Sequence, residues 1–284
     1  MINLIRNAIV IWLKRQKPLP ETPMSDFQRL CTEIKQCDVI LVEGRSRVSE
    51  VIKLITQSSW SHAALYIGRI DQIKDLNIRN KVAEYYQGDP ELPLIIESEL
   101  GLGTVVRALN IYEREHLRIC RPREFRLSDT DKVLAFSTGK LGSAYNVRQV
   151  FDLARFLFPW FILPRRWRSS LFSARPGKST QTVCSTMIAE AFGSVQFPIL
   201  PLVKRVENNQ LRLFMRNPKL CTPRDFDYSP YFDIIKYPFI SVAQYTEQRL
   251  RPWDGEIALS EEERKMYVVS DSSAKSKIAL SAEA

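Results

Sequence analysis

The chain has 284 residues, of which 45% are hydrophobic and 26% charged, and its formal net charge is +9. This composition is typical of a globular protein with ample length for one large core. The positive charge favours acidic partners such as anionic lipid, nucleic acid or acidic polymers. The sequence contains no internal repeat, zinc-type Cys/His spacing, P-loop or dinucleotide fingerprint, so we expect no metal and no cofactor.

The five cysteines, at positions 31, 37, 120, 184 and 221, are an odd number and are widely scattered. This distribution is unlike a disulfide framework and suits a reducing compartment, so a cytoplasmic location is expected. Most of these thiols should be ordinary buried side chains, which leaves at most one for chemistry.

Residues 1–17, MINLIRNAIVIWLKRQK, predict an amphipathic helix. The apolar run from Ala8 to Leu13 is too short to span a bilayer, and the basic cluster follows it, so no signal peptide is expected. Two interpretations stay open: an interfacial anchor at the inner face of the membrane, or a helix packed on the protein's own core. Residues 1–23 are therefore predicted to be a helix and a proline-rich linker, followed by a main domain over 24–259.

Residues 37–68 predict a strand, a turn, a helix, a loop and a second strand. Ser46 is a candidate helix N-cap, and His62, one of only two histidines, stands at the mouth of the second strand. Further strands are predicted at 94–96, 104–109 and 117–120. The first of these runs into Glu97. Strands joined by turns over this range indicate one antiparallel sheet.

The second half of the chain is predicted to be mostly helical, with helices at 128–142, 147–158 and 182–193. Cys184 lies in the first turn of the last helix. Segment 150–175 is apolar and basic and predicts a lid or insertion. Within it, residues 156–168, FLFPWFILPRRWR, indicate either a membrane interface or a buried helical hairpin with a solvated basic edge. Residues 222–235 are expected to form a turn and an aromatic patch, and residues 260–284 a disordered polar tail.

A cysteine nucleophile must be a thiolate, and the first turn of a helix lowers the pKa of a thiol because unpaired amides and the helix dipole favour the anion. Cys184 has that position. His62 is the candidate base, with His116, in a charged surface turn, as the alternative. Glu97 is the candidate that orients the imidazole. The backbone N–H of Cys184 is a candidate oxyanion donor, and Tyr145 is a candidate second donor or substrate contact.

Six motifs together resemble the circularly permuted papain-like amidases: DVILVEG, SSWSHAALYIG, IIESELGLGTVV, GSAYN, TVCSTMIAEAF and TPRDF. These amidases belong to the broad NlpC-like superfamily, which also includes the lecithin:retinol acyltransferase group. The resemblance covers roughly residues 36–235, with the histidine-bearing strand before the cysteine-bearing helix. It implies an α+β fold in which a small antiparallel sheet or barrel packs on the cysteine helix, with added helices.

The resemblance also implies roles for single residues. Cys184 matches the nucleophile, His62 the general base and Glu97 the polar third position. Tyr145 matches a tyrosine that is common in the family, although Asn146 here replaces the aspartate that usually follows it.

The resemblance therefore implies a thiol-dependent hydrolase or acyltransferase that cleaves an amide or ester bond, and the basic charge suggests a lipid-linked or membrane-surface substrate. The alternatives are a peptidoglycan or peptide amidase and a non-catalytic, membrane-associated binding protein on the same fold. The expected partners are an acyl or peptide substrate and an anionic membrane, contacted peripherally through residues 1–17 and 156–168. Nucleic acid is not expected, because no recognition motif accompanies the scattered arginines.

Overall fold

The structure is a computed structural model, and it describes residues 11–19, 24–99, 102–143, 183–205 and 210–238. These residues belong to one compact unit, Met1–Ile240. Several predicted features lie outside the described residues: the first ten residues, Tyr145, the helix at 147–158, the insertion at 150–175 with its 156–168 segment, and the tail at 260–284.

The described residues form an α+β fold, as predicted. The strands are β1 (Val39–Glu43), β2 (His62–Gly68), β3 (Leu94–Glu99), β4 (Gly103–Ala108), β5 (His116–Pro122), β6 (Leu202–Arg205), β7 (Leu211–Phe214) and β8 (Phe232–Ile235). The helices are α1 (Phe27–Glu33), α2 (Arg47–Thr56), α3 (Leu76–Tyr85), α4 (Leu127–Gly139), α5 (Val183–Ser194) and α6 (Pro223–Tyr228). Six strands form one antiparallel sheet in the order β4-β3-β2-β1-β5-β8, and β6 and β7 form a separate hairpin.

Both faces of the large sheet are covered, which explains why its central strands are apolar without interruption. Alternate residues of a strand point to opposite faces. On β1, Val39 and Leu41 therefore belong to one hydrophobic cluster, while Ile40 and Val42 belong to another. The first cluster includes α5, and the second includes Leu30 of α1. Burial on two sides selects a continuous run such as VILV over an alternating pattern.

Helix α5 packs on β2 and β3 and lies beside α4. Its inward side chains, among them Ile188 and Phe192, are completely buried. Phe192 also contacts Phe197 and Phe232 at ring-centroid distances of 5.4 Å for each pair. This apolar anchorage fixes the first turn of α5 near the start of β2.

The structure differs from the prediction in three elements. Residues 222–235 hold more than a turn, because α6 and β8 form there and β8 extends the sheet beside β5. Helix α4 begins at Leu127, one residue earlier than predicted, and Arg126 before it makes no capping side-chain bond. The β6–β7 hairpin was not predicted. Short strands give little periodic signal, and pairing across the sheet decides whether they form.

The described part of the N-terminal segment lies against the domain. Leu13 is completely buried, and Gln16 forms a β-bridge with Ser46. Ser46 caps α2 by accepting the Ser49 N–H, as predicted. Within the described ranges, none of the helices combines the length and hydropathy needed to cross a membrane.

Candidate active site

His62 opens β2, and local packing fixes the backbone before it. The buried hydroxyl of Ser61 accepts the Gly44 N–H at 2.9 Å, which ties the start of β2 to the end of β1. A Cβ at residue 44 would lie 2.4 Å from Ser49 Oγ and 2.9 Å from Ser61 Oγ, so any larger residue would force these two serine side chains to move. The imidazole that follows is held on the sheet and keeps 20% of its side chain exposed.

Glu97 lies on β3, the neighbour of β2, and its carboxylate holds the imidazole. His62 Nε2 and Glu97 Oε2 are 2.7 Å apart, and the Glu97 side chain is only 1% exposed. Tyr112 donates its hydroxyl to the same Oε2 at 2.6 Å, while Arg107 Nε lies 3.5 Å from Oε1. Both carboxylate oxygens therefore have partners, as a buried anion requires.

These contacts keep Glu97 ionised. Burial alone would raise the pKa of Glu97, but the hydrogen bond and charge of His62, with help from Tyr112 and Arg107, lower it below its ordinary value. Burial and the charge of Glu97 in turn raise the pKa of Tyr112 well above its ordinary value, so its phenol stays protonated and donates.

Cys184, the second residue of α5, completes a hydrogen-bonded chain with His62 and Glu97. The thiol is buried and hydrogen-bonds the imidazole, and the backbone N–H groups of Ala63 and Ser185 also donate to its sulfur. Because Glu97 engages Nε2, Nδ1 is the ring nitrogen left for the thiol.

The charges of Cys184, His62 and Glu97 favour a thiolate–imidazolium pair. Burial opposes ionisation of the thiol, but the charge and hydrogen bond of His62 outweigh it and lower the pKa of Cys184. Burial likewise opposes the imidazolium, but the Cys184 thiolate and the Glu97 carboxylate raise the pKa of His62 well above its ordinary value. The two shifts reinforce each other because each charge stabilises the other.

The remaining four cysteines have the opposite character. Burial raises the pKa of Cys31 to about 11 and that of Cys37 to about 12. Burial also raises the pKa of Cys120 and of Cys221. All five cysteines are free, and Cys184 is the one whose thiol pKa is lowered.

His116, the alternative base, is not part of the hydrogen-bonded set formed by Cys184, His62 and Glu97. It opens β5 instead of occupying a surface turn, which corrects that expectation. Its Nδ1 is 2.9 Å from Glu43 Oε2, and its ring is 5.1 Å from that of Trp60. No cysteine takes part in these contacts.

The structure thus brings together three of the four predicted site residues, Cys184, His62 and Glu97, while Tyr145 lies outside the described residues. Tyr112 and Arg107 were not predicted. Arg107 stands on β4 and Tyr112 in the following 3₁₀ turn. No local motif marks either residue, and only the pairing of β3 with β4 brings Arg107 beside Glu97.

Across the ranges that the structure describes, no group of three or more His, Cys, Asp or Glu side chains is arranged to hold a metal ion. The site therefore offers a thiol of lowered pKa as nucleophile (Cys184), an imidazole as acid and base (His62) and a fixed carboxylate (Glu97). This combination can perform nucleophilic acyl chemistry.

Comparison with known proteins identifies no family. No protein-family model matches the chain, and no curated protein matches it. Among solved structures, one similar chain is the metalloprotein yiiX from Escherichia coli O157:H7 (DUF1105). The match has a TM-score of 0.42 and 13% sequence identity, and it covers 72% of this chain and 97% of the other.

Proposed function

We propose that this protein is a thiol-dependent hydrolase or acyltransferase, on a permuted papain-like fold, that cleaves an amide or ester bond. The observation that carries the proposal is the hydrogen-bonded chain from Cys184 through His62 to Glu97. A cysteine with a purely structural role does not require a contact with an imidazole. Burial of a carboxylate costs free energy, so a buried carboxylate with specific partners indicates a functional role.

The first half of the reaction forms an acyl-enzyme. The Cys184 thiolate attacks the substrate carbonyl carbon, and the carbonyl π electrons move to oxygen to give a tetrahedral oxyanion. As that intermediate collapses, the bond to the leaving amine or alcohol breaks, and the His62 imidazolium gives its proton to the leaving group. The product is a thioester on Cys184 and a neutral His62.

The second half restores the enzyme. Neutral His62 takes a proton from water or from an acceptor hydroxyl or amine, which then attacks the thioester. The resulting tetrahedral intermediate collapses and releases the acyl product. The Cys184 thiolate is thereby restored beside the newly protonated His62 imidazolium. Glu97 stays charged through both halves and holds the ring by its Nε2–H, so Nδ1 always faces the sulfur.

We propose a lipid-linked or membrane-surface compound as the acyl donor. The net charge of +9 favours approach to an anionic surface. A peptide amide is the rival substrate, and a panel that contains both lipid esters and peptide amides separates the two.

The experiment that tests the proposal is alkylation of Cys184 by iodoacetamide as a function of pH, followed by mass spectrometry. We expect the thiol to react with a pKa well below the ~8.5 of a free thiol, and this pKa should rise in His62→Ala. A Cys184 that alkylates only above pH ~8, and equally in both proteins, would contradict the proposal.

Cys31 provides the internal control in the same experiment. It is the half-buried thiol, and its pKa is raised to about 11. Its alkylation should therefore need alkaline pH and should not respond to His62→Ala. Incubation with the substrate panel should then add an acyl group to Cys184 alone.

A further inference from the structure

Both strands of the β6–β7 hairpin are exposed although most of their residues are apolar. Every residue of both strands is exposed. The large apolar side chains on the hairpin and just after it range from 43% to 65% exposed: Leu202, Val203, Leu211, Leu213, Phe214 and Met215. A contiguous apolar surface of this kind is uncommon on soluble monomers and marks an interaction site.

Basic side chains are interleaved with the apolar ones. Lys204 pairs across the hairpin with Arg212, and Arg205 with Leu211, while the other two pairs are apolar. Each face of the hairpin therefore carries an apolar pair and at least one basic residue. The described ranges 202–205 and 210–215 contain no acidic residue; Glu207, between the strands, lies outside them.

The cavity behind the hairpin is lined mostly by apolar residues, with Arg216 and Asp225 among the polar ones. This cavity, of about 300 Å³, lies between the hairpin and the C-terminal half of α5. Leu213, Phe214 and Met215 line it from the hairpin, and Gly193 and Phe197 from the domain. Apolar surface on this side therefore borders open space instead of a packed layer.

The mixture of exposed apolar and basic side chains on the two strands identifies the kind of partner. Phosphate groups of a nucleic acid would satisfy the basic residues but leave the apolar side chains in water. An anionic bilayer surface accepts apolar side chains at the boundary between headgroups and acyl chains. It also offers negatively charged headgroups to the lysine and arginines.

We propose that the β6–β7 hairpin docks this protein on the surface of an anionic lipid bilayer. This surface differs from the two segments in which the sequence predicted membrane contact. It is independent of the Cys184 chemistry, so Cys184→Ala should bind membranes as the wild-type chain does.

The test is sedimentation of the full-length protein with vesicles of phosphatidylcholine containing about 30% phosphatidylserine, against pure phosphatidylcholine. We expect binding to the anionic vesicles that weakens as salt rises. Lys204→Ser/Arg212→Ser should weaken it about 25-fold, because each of the two basic residues near an anionic surface contributes about a fivefold factor. Val203→Ser/Leu211→Ser should weaken it about tenfold through lost apolar burial.

A matched control changes one leucine and one lysine on α4, namely Leu127→Ser/Lys132→Ser, whose side chains are also exposed. This control should bind within about twofold of wild type, and circular dichroism should show all variants folded. The proposal is overturned if the wild-type chain ignores anionic vesicles or if both hairpin variants bind as well as the control. It is also overturned if the hairpin variants only convert a dimer to monomers, since the occupant would then be a second copy.

Discussion

Two histidine–glutamate pairs stand in the same sheet, and their difference shows what makes a site. His62 with Glu97 and His116 with Glu43 are both cross-strand pairs, with nitrogen–oxygen distances of 2.7 and 2.9 Å. The Glu97 side chain is 1% exposed, whereas that of Glu43 is 33% exposed. Distance alone therefore does not distinguish the two pairs.

What differs is the surroundings of each pair. Tyr112 and Arg107 complete the contacts of Glu97, and the ring of His62 meets the Cys184 thiol. The second pair has a ring contact with Trp60, and Lys53 lies 3.8 Å from Glu43. A buried and fully partnered pair can hold a charge where water cannot, which sets the His62–Glu97 pair apart. The following variants test that distinction, in order of expected effect.

Removal of the thiol should have the largest effect. Cys184→Ala should lower acyl-transfer activity about 10⁴-fold or more, because Cys184 is the cysteine whose thiol pKa is lowered and the proposed reaction forms its thioester there. Activity is measured as turnover of the substrate found in the panel, with Cys31→Ala as the control that keeps full turnover. Residual activity of Cys184→Ala above a few per cent would mean that another group is the nucleophile.

Replacement of the two histidines should separate the pairs. His62→Gln should lower activity about 10²–10⁴-fold, because the leaving group loses its acid and the thiolate its counter-ion. His116→Gln should change activity by less than about threefold, since this ring touches no thiol. Equal losses in the two variants, measured at matched thermal stability, would mean that the histidines act only through folding.

Replacement of the carboxylates comes next. Glu97→Gln keeps the shape but removes the charge that supports the imidazolium, so activity should fall on the order of 10²-fold. The pKa of His62, followed by NMR, should also fall. Glu43→Gln is the matched control and should leave both quantities near their wild-type values. A Glu97→Gln enzyme with unchanged turnover would remove Glu97 from the site.

Tyr112→Phe should have the smallest effect, a loss of about threefold to tenfold from one hydrogen bond to a charged group. It should also move the acid limb of the pH–rate profile. The contact with Tyr112 helps to lower the pKa of Glu97, so the charge of Glu97 is lost only as pH falls through that lowered value. Without the hydroxyl the pKa of Glu97 rises, and activity should fail at a higher pH. A uniform loss at every pH would point to a purely structural role.

Local sequence patterns predict the elements that depend on neighbours along the chain. The apolar run VILV, the Ser46 cap and the short strand after Ser61 predicted β1, α2 and β2 in the correct order. Cys184 was placed in the first turn of a helix by the apolar spacing after it, and the structure confirms that position. These are local effects of propensity, capping and periodicity, so a single sequence carries them.

Long-range packing fixes which of these groups meet, and local patterns do not record it. The pairing of β2 with β3 brings His62 to Glu97, which lies 35 residues later in the sequence. The pairing of β3 with β4 brings Glu97 to Arg107, a further 10 residues along. Packing of α5 on the sheet then brings the thiol to the imidazole across more than a hundred residues. Local sequence patterns likewise did not predict the exposed β6–β7 hairpin or the edge strand β8. Whether an apolar strand is covered or left open depends on what packs against it, which no local pattern records.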